Sequence, residues 1–124
     1  MLGGVDLIAF VGTADVARAR SFYEGTLGLA VVEEDPYALA LDANGTMLRV
    51  TAVPDFRPAG HTVCGWRVDN IATAIRELGE KGVGFARYDG MDQDELGAWT
   101  APSGAKVAWF ADPDGNTLSL TQFP

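Results

Sequence analysis

The sequence predicts an α+β fold built from two copies of one unit, in which a strand is followed by a helix and then by further strands. The stretch Ile8 to Asp15 resembles the stretch Val63 to Asn70 at a constant offset, since 63 − 8 and 70 − 15 are both 55. A second matching pair, residues 45–49 and 115–119, also keeps a constant offset (115 − 45 = 119 − 49 = 70). Similarity at a fixed spacing indicates a repeated structural unit. Gly28 and Gly82, which follow the helical patterns, are separated by only 54 residues (82 − 28 = 54), whereas the later pair is separated by 70. The second copy therefore carries an insertion between its helix and its last hairpin.

The strands are predicted from short apolar, partly β-branched segments and from the turns between them. Asn44-Gly45 is a strong two-residue hairpin signal, since both residues tolerate positive φ. In Asp112-Pro-Asp-Gly-Asn116, proline presets one turn dihedral and glycine accepts the positive one. The predicted strands are residues 5–11, 38–42, 47–51, 62–68, 107–110 and 117–121.

One helix is predicted in each copy. Asp15 and Asn70 are suitable N-caps, because their side-chain oxygens accept from the free amides of a first helical turn. Gly28 and Gly82 supply the left-handed residue that ends a helix. Apolar residues recur at three- and four-residue steps behind each cap, so one helical face should be buried. These residues are Val16, Ala19, Phe22, Tyr23 and Leu27 in the first copy, and Ile71, Ala74, Ile75 and Leu78 in the second.

Length and composition limit the class of protein. The 124 residues fit a single domain, with a first module at about 5–53, a linker at 54–60 that contains two prolines and a glycine, and a second module at about 61–122. The net charge of −8 disfavours nucleic acid and anionic membranes as partners. No apolar run approaches the ~18 residues needed to span a bilayer. The absence of basic residues before Asp15 argues against a secretory signal, and the single Cys64 suits a reducing cytoplasm.

The sequence resembles the vicinal oxygen chelate superfamily, which includes glyoxalase I, extradiol dioxygenases and bleomycin-resistance proteins. Asp15 with Phe22-Tyr23 and Leu27-Gly28, followed by Asp112-Pro-Asp-Gly-Asn116, carries the resemblance, which extends from about Val5 to Gln122. It implies a glyoxalase/bleomycin-resistance fold, a pair of βαβββ modules whose sheets form a cupped, open barrel. Ligands bind in the cup of such proteins, and homodimers are common.

The resemblance also identifies four positions at which metal-using members carry His, Gln or Glu. Two of them lie seven residues before the helix caps, at Ile8 and Val63, and two lie four residues after the hairpin glycines, at Arg49 and Ser119. Isoleucine and valine have no lone pair, arginine stays protonated, and a lone serine hydroxyl is a weak ligand. We therefore expect no metal and no other cofactor. The only histidine, His61, is predicted to be a partly exposed linker residue, although strand alternation could bring it to the cup mouth.

Alternation predicts which strand residues face the cup. In the first strand, Leu7, Ala9 and Val11 should pack on the helix. An apolar lining with few polar groups is typical of a small-molecule pocket. Alternatively, this face is filled by its own side chains or by a partner subunit. The predicted lining is Ile8, Phe10, Met47, Arg49, Thr51, Val63, Gly65, Arg67, Thr117, Ser119 and Thr121.

Other conspicuous residues are given mainly structural interpretations. Trp66 and Cys64 should face the helix, whereas Trp99 and Trp109 either edge the pocket or pack in the core. The acidic residues from Asp89 to Glu95 do not have the spacing of a calcium loop, which favours a solvated surface.

Two functions remain open. The first is metal-independent binding of a small molecule, with Arg49 and Arg67 favouring an acidic group on an apolar body. The second is an enzyme, such as a lyase, isomerase or dioxygenase-like protein, whose non-metal chemistry would use His61, a rim carboxylate or Tyr88 as proton carriers. A glyoxalase-type lyase proper is disfavoured by all four ligand positions. The sequence does not decide whether the protein is an enzyme.

Overall fold

A computed structural model describes all residues from Met1 to Pro124. The chain divides into two compact units, Met1–Pro58 and Ala59–Pro124. The division falls inside the segment 54–60, which the sequence predicts to be a linker.

The first unit is a four-stranded sheet with one helical segment. Strand β1 runs parallel to β4, while β3 is antiparallel to both β4 and β2, which gives the strand order β1-β4-β3-β2. A parallel pair needs a long crossover connection, and the helical segment lies in that crossover. The elements are a 3₁₀ turn at Leu2–Gly4, β1 (Ile8–Thr13), α1 (Val16–Arg20) continued by a π-helical stretch at Ser21–Thr26, β2 (Ala30–Glu34), β3 (Ala38–Ala43) and β4 (Thr46–Ala52).

The second unit repeats this plan. Its strand order is β5-β8-β7-β6, again with the first and last strands parallel. The elements are β5 (Thr62–Arg67), α2 (Ile71–Glu80), β6 (Trp99–Thr100), β7 (Lys106–Ala111) and β8 (Thr117–Gln122). The identical order of two open, mixed sheets confirms the predicted α+β fold with two βαβββ modules. Neither helix has the length and apolar character that a membrane span requires.

The predicted helix caps are present. An Asp15 carboxylate oxygen accepts from the Arg18 amide at 3.1 Å, and the Asn70 side-chain oxygen accepts from the Thr73 amide at 3.0 Å. Gly28 has φ +78° and Gly82 has φ +91°, the left-handed values that glycine adopts without a steric penalty.

Each helix covers one face of its own sheet. In the first unit α1 packs on β3 and β4 over the fully buried Leu39, Leu41, Leu48 and Val50. Burying each such side chain stabilises the fold by about 1.5–3 kcal/mol. In the second unit α2 packs on β7 and β8, where Phe110, Leu118 and Leu120 are buried together with Ile71 and Ile75 of the helix.

An ion-pair network joins the helical segment of the first unit to its edge strand β2. The Arg20 guanidinium contacts Glu24 at 3.0 Å and Glu34 at 2.6 Å. The hydrogen bond that Arg20 donates to Glu24, and then the one that it donates to Glu34, raise the pKa of Arg20. Glu34 therefore points to the helix-covered side of the sheet. Because side chains alternate along a strand, the adjacent Glu33 points to the other side.

Two predictions about the first strand and helix need correction. The strand was expected at residues 5–11 but spans Ile8–Thr13, because its pairing with β4 begins at Ile8 opposite Met47. Leu7 lies before this ladder and is 72% exposed rather than packed on the helix, whereas Ala9 and Val11 do face it. The helix after Asp15 changes to π-helical hydrogen bonding, in which the Leu27 amide donates to the Phe22 carbonyl at 2.9 Å.

The two hairpin turns have the predicted chemistry but unequal hydrogen bonding. Asn44 and Gly45 have φ +50° and +93°, and a single Asp42 carboxylate oxygen accepts from the Gly45 amide. In the second turn, buried Asp112 accepts from the Asp114 amide and from both the amide and side-chain nitrogen of Asn116, at 2.8–2.9 Å.

Candidate functional site

The candidate site is the face of each sheet that its helix does not cover, called the open face below. In β1, buried Val11 and Thr13 alternate with Ile8, Phe10 and Gly12. The register places Ile8, Phe10 and Gly12 beside Met47, Arg49 and Thr51 of β4. Because paired residues on neighbouring strands point to the same side, these six positions share the open face of the first unit.

Arg49 is at the middle of this face and has no carboxylate partner. Its strand neighbours are the exposed Phe10 and the buried Ala40. The nearest acidic residue in the same row is Glu33, which pairs with Ala40 and is therefore two strands, roughly 10 Å, away. The Arg49 side chain is half-buried and makes no ion pair. An arginine in this position has its donors available for a ligand.

The end of this face near Gly12 is covered by the ring of Phe56. A β-carbon at position 12 would collide with the Phe56 ring, so the ring lies where a side chain of β1 would otherwise stand. The neighbouring Thr51 has a buried hydroxyl oxygen without a hydrogen-bond partner. The Phe56 ring thus occupies part of the predicted lining at this end of the face.

A cleft of about 290 Å³ lies at the opposite end of the same face. Ile8 and Met47 form apolar walls, joined by Val32, the extra residue of a bulge in β2. Asp6 and Asp42 place carboxylates at its edge. The open face of the first unit therefore changes from acidic at this end to basic at Arg49.

The open face of the second unit carries Thr117, Ser119 and Thr121 of β8. Ser119 lies beside Gly65 of β5 and is only 8% exposed. A β-carbon at position 65 would collide with the Ser119 hydroxyl, so the serine side chain leans over the glycine. Arg67, beside Thr121, is exposed and lies 5.2 Å from the centre of the Phe123 ring.

Val63 has a different position from that of its repeat partner Ile8. The register of β5 shifts between Thr62 and Cys64, and Thr62 rather than Val63 lies opposite Thr117. Val63 is the extra residue of this bulge and is 36% exposed. A bulge redirects side chains locally, which a simple period of two does not predict.

Three aromatic side chains gather on the open face of the second unit. Trp109 pairs with Ser119, and its ring is 5.5 Å from Tyr88 at an angle of 83° and 6.3 Å from Trp99 at 35°. Tyr88 and Trp109 line a cleft of about 240 Å³ with His61, Met91, Thr62, Thr117 and Gly60. Of the two interpretations given for Trp109, the structure supports the pocket edge. Trp66 instead stacks on buried Phe110 on the helix-covered side, as predicted.

Gln93 holds the aromatic cluster in place, a role that no pattern in the sequence indicates. Its side-chain oxygen accepts from the Tyr88 amide at 2.7 Å, while its nitrogen donates to the carbonyls of Ala86 and Gly97. The Ala86 amide donates to the Trp109 carbonyl at 2.8 Å, which attaches this loop to β7. Tyr88 is therefore positioned by a network of hydrogen bonds within the inserted residues.

The residues at the four family metal positions do not fit a divalent ion. Ile8 and Val63 present hydrocarbon, Arg49 presents a cation, and the Ser119 hydroxyl is buried against Gly65. Nowhere in the chain do three His, Cys, Asp or Glu side chains converge in a way that could hold a metal. The donor set thus disagrees with the metal chemistry that the resemblance implies.

Neither Cys64 nor the pair of His61 and Tyr88 is part of a hydrogen-bonded acid–base site. Burial raises the pKa of the half-buried Cys64 thiol, a shift partly offset by the Gly65 backbone, so the thiol is kept protonated at neutral pH. His61 and Tyr88 do line one cleft, but no hydrogen bond joins their side chains and no carboxylate lines the cleft with them. The acid–base pair that the enzyme interpretation requires is not assembled.

The doubled βαβββ units define a class of α+β proteins with open, mixed sheets. The family model of the Glyoxalase/Bleomycin resistance protein/Dioxygenase superfamily matches residues 4–120, and the chain belongs to this superfamily.

Three solved structures illustrate the shared fold. A bleomycin resistance determinant encoded on the transposon Tn5 has a TM-score of 0.74 at 24% identity, covering 96% of this chain and 98% of that one. A superfamily member from Sphaerobacter thermophilus gives 0.73 at 23%, covering 96% and 97%. A lactoylglutathione lyase from Agrobacterium tumefaciens gives 0.74 at 15%, covering 96% and 93%. A search of curated proteins finds no significant relative. At these identities the likenesses establish the fold alone.

Proposed function

We propose that the protein binds a small organic molecule on the open face of its first unit without a metal, and that Arg49 binds an acidic group of that molecule. The observation that carries the proposal is a half-buried arginine with no ion-pair partner, surrounded by apolar side chains. Partial burial removes hydration from the guanidinium, and a carboxylate or phosphate would restore hydrogen bonds in bidentate geometry.

The apolar body of the ligand would pack beside Arg49 on Phe10 and Ile8, which are 63% and 46% exposed. Covering such side chains removes apolar area from water and contributes roughly 25 cal/mol per Å². The other residues of the predicted lining remain candidate ligand contacts within their own units, and they differ in how accessible they are. Arg67, Val63, Thr117 and Thr121 are accessible, whereas Thr51 and Ser119 are shielded in the structure as it stands.

Binding to Arg49 is tested with octanoate and phenyl phosphate against octanamide, a neutral molecule of matched shape. We expect Arg49→Ala to weaken binding of the two anions by about 1.5–3 kcal/mol, roughly ten- to a hundredfold, because a charge-assisted contact is lost. Arg49→Lys should recover only part of this, since lysine lacks the planar fork. Calorimetric titration gives the affinities.

The matched control is Arg57→Ala, which removes the same charge from an exposed position outside the sheets. It should leave anion binding unchanged. If Arg49→Ala instead lowers the unfolding temperature and leaves the affinity for both anions intact, Arg49 has a structural role and the proposal fails.

We further propose that the protein is a homodimer. Strand β1 is at the edge of its sheet, and the residues in and before it include Val5, Leu7 and Phe10, each more than 60% exposed. Contiguous exposed apolar side chains are surfaces that soluble proteins usually cover. Light scattering at micromolar concentration should give twice the chain mass of 13.1 kDa, and Phe10→Glu should lower it. A mass of one chain over the whole accessible range contradicts this proposal.

The single, protonated thiol is consistent with the cytoplasmic location that we propose.

A further inference from the structure

We infer that the second unit has its own binding site for a planar aromatic cation, in the cleft between Tyr88 and Trp109. This site goes beyond the proposed function, because it does not use Arg49 or any other residue of the first unit, shares only Thr117 with the predicted lining, and takes a ligand of the opposite charge.

The geometry of the cleft indicates a flat ligand. The Tyr88 and Trp109 rings meet at 83°, so they form two walls of a corner, and Trp99 supports Trp109 from the side that does not line the cleft. Met91 and His61 complete the lining. A ring that enters this corner stacks on one aromatic wall and points its own edge at the face of the other, and both are arrangements that aromatic pairs prefer. The volume of about 240 Å³ lies below the usual range for drug-sized ligands and suits a ring system rather than a larger molecule.

The walls are held in place before any ligand binds. Gln93 fixes the backbone on both sides of Tyr88 with three hydrogen bonds of 2.7–2.9 Å, and Gly90, with φ +79°, allows the turn that brings Met91 back beside Tyr88. A preformed aromatic surface loses little conformational entropy on binding.

The charge around the cleft favours a cation. None of its lining residues is Lys or Arg. The inserted residues 84–98 contain Asp89, Asp92, Asp94 and Glu95 against one base, Arg87, which gives a net charge of −3. The Arg87 guanidinium is bound at 2.5 Å to the Glu95 carbonyl. An indole face attracts cations through its quadrupole, and the net negative charge of the segment that carries Tyr88 and Met91 adds to that attraction.

The test uses three probes of one shape: N-methylquinolinium, neutral quinoline and anionic quinaldate. Each is titrated into the ¹⁵N-labelled protein, and the indole N–H signals of Trp66, Trp99 and Trp109 are followed by NMR. We expect the cation to shift the Trp109 signal and to bind roughly 2- to 30-fold more tightly than quinoline, with quinaldate weakest. The Trp66 signal should not move, because Trp66 lies on the other side of the sheet.

Variants then locate the site. Tyr88→Leu, at a residue that is 42% exposed, should fold normally and weaken cation binding at least tenfold, as should Trp109→Leu. Trp66→Phe is the matched aromatic control and should leave it unchanged. Asp89→Asn with Asp92→Asn should reduce the preference for the cation while leaving quinoline binding unaltered. The inference is overturned if quinaldate binds as tightly as the cation, if Tyr88→Leu has no effect, or if none of the three probes shifts Trp109 at millimolar concentration.

Discussion

Phe10 and Gly65 occupy the same place in the two units, and so do Arg49 and Ser119, yet the open faces they build are opposite in character. The pairs are related by the two repeat offsets (65 − 10 = 55 and 119 − 49 = 70). In the first unit the large side chain is Phe10 on the edge strand β1, and it is followed across the sheet by the cationic Arg49 on β4 and the small Ala40 on β3. In the same row of the second unit, the edge strand β5 has Gly65, β8 has the small hydroxyl of Ser119, and β7 has the large side chain of Trp109.

This comparison separates what the repeated backbone determines from what the side chains determine. Strand order and helix caps are shared by the two units, and so is the strand register beyond the bulge at Val63, so these features follow from the common βαβββ plan. Ligand chemistry follows from single side chains at equivalent places. One plan therefore carries an arginine on one open face and an aromatic corner on the other, and we propose that the first binds anions and the second cations.

The largest difference in the stability effect of equivalent substitutions in the two units is expected at their hairpin turns. Asp112→Ala should destabilise the protein by about 3 kcal/mol, because it leaves the buried Asn116 side chain and two amides without their acceptor. Asp42→Ala removes one exposed hydrogen bond and should cost about 0.5–1 kcal/mol. Urea unfolding followed by tryptophan fluorescence measures both. Asp112→Asn, which keeps one acceptor oxygen, should fall between the two, and equal losses at the two turns would contradict the proposed asymmetry.

A smaller difference is expected at the edge strands. Gly65→Ala should cost about 1–3 kcal/mol, since the new methyl group overlaps the Ser119 hydroxyl. The double variant with Ser119→Ala should recover part of that loss. Phe10→Ala, at a side chain that is 63% exposed, should change stability by no more than about 0.5 kcal/mol. Thermal unfolding at two protein concentrations sharpens the comparison, because a concentration-dependent effect of Phe10→Ala would place that residue in the dimer interface.

No effect is expected when divalent metals are removed, and in this the two units agree. Neither Ile8 and Arg49 nor Val63 and Ser119 supply the nitrogen and oxygen ligands that a divalent ion prefers. Chelator treatment should leave the melting temperature and anion binding unchanged, and elemental analysis should find no stoichiometric metal. One zinc, nickel or iron per chain, removed together with folding or binding, contradicts this expectation.

Local signals allowed most of the fold to be predicted from the sequence. Asp15, Asn70 and Asn44-Gly45 act through hydrogen bonds and dihedrals within a few residues, so their chemistry can be predicted without tertiary information. The side of β4 that carries Met47, Arg49 and Thr51 follows from a period of two once the hairpin fixes the register. Leu7 was misplaced because the start of a strand depends on where its partner begins.

The details of the candidate site depend on contacts between residues far apart in sequence. Phe56 reaches Gly12 from a distant part of the chain (56 − 12 = 44), and no periodicity signals that contact. The hydrogen bonds of Gln93 with Tyr88, Ala86 and Gly97 form within an irregular segment, where neither a helical nor a strand period applies. The bulge at Val63 shifts the register, which alternation alone does not reveal.

The buried hydroxyl of Thr51 also says something about selection. Valine has nearly the same shape and would place no unsatisfied oxygen beneath the surface, so the first unit retains a group that opposes its own folding. Mutation and selection keep natural proteins just above the stability that they need, and easily available gains are often left untaken. Thr51 is such an unused opportunity for stability, and it lies on the opposite side of β4 from the buried Leu48 and Val50. Thr51→Val is therefore the first substitution to choose for raising the stability of this domain without changing its shape.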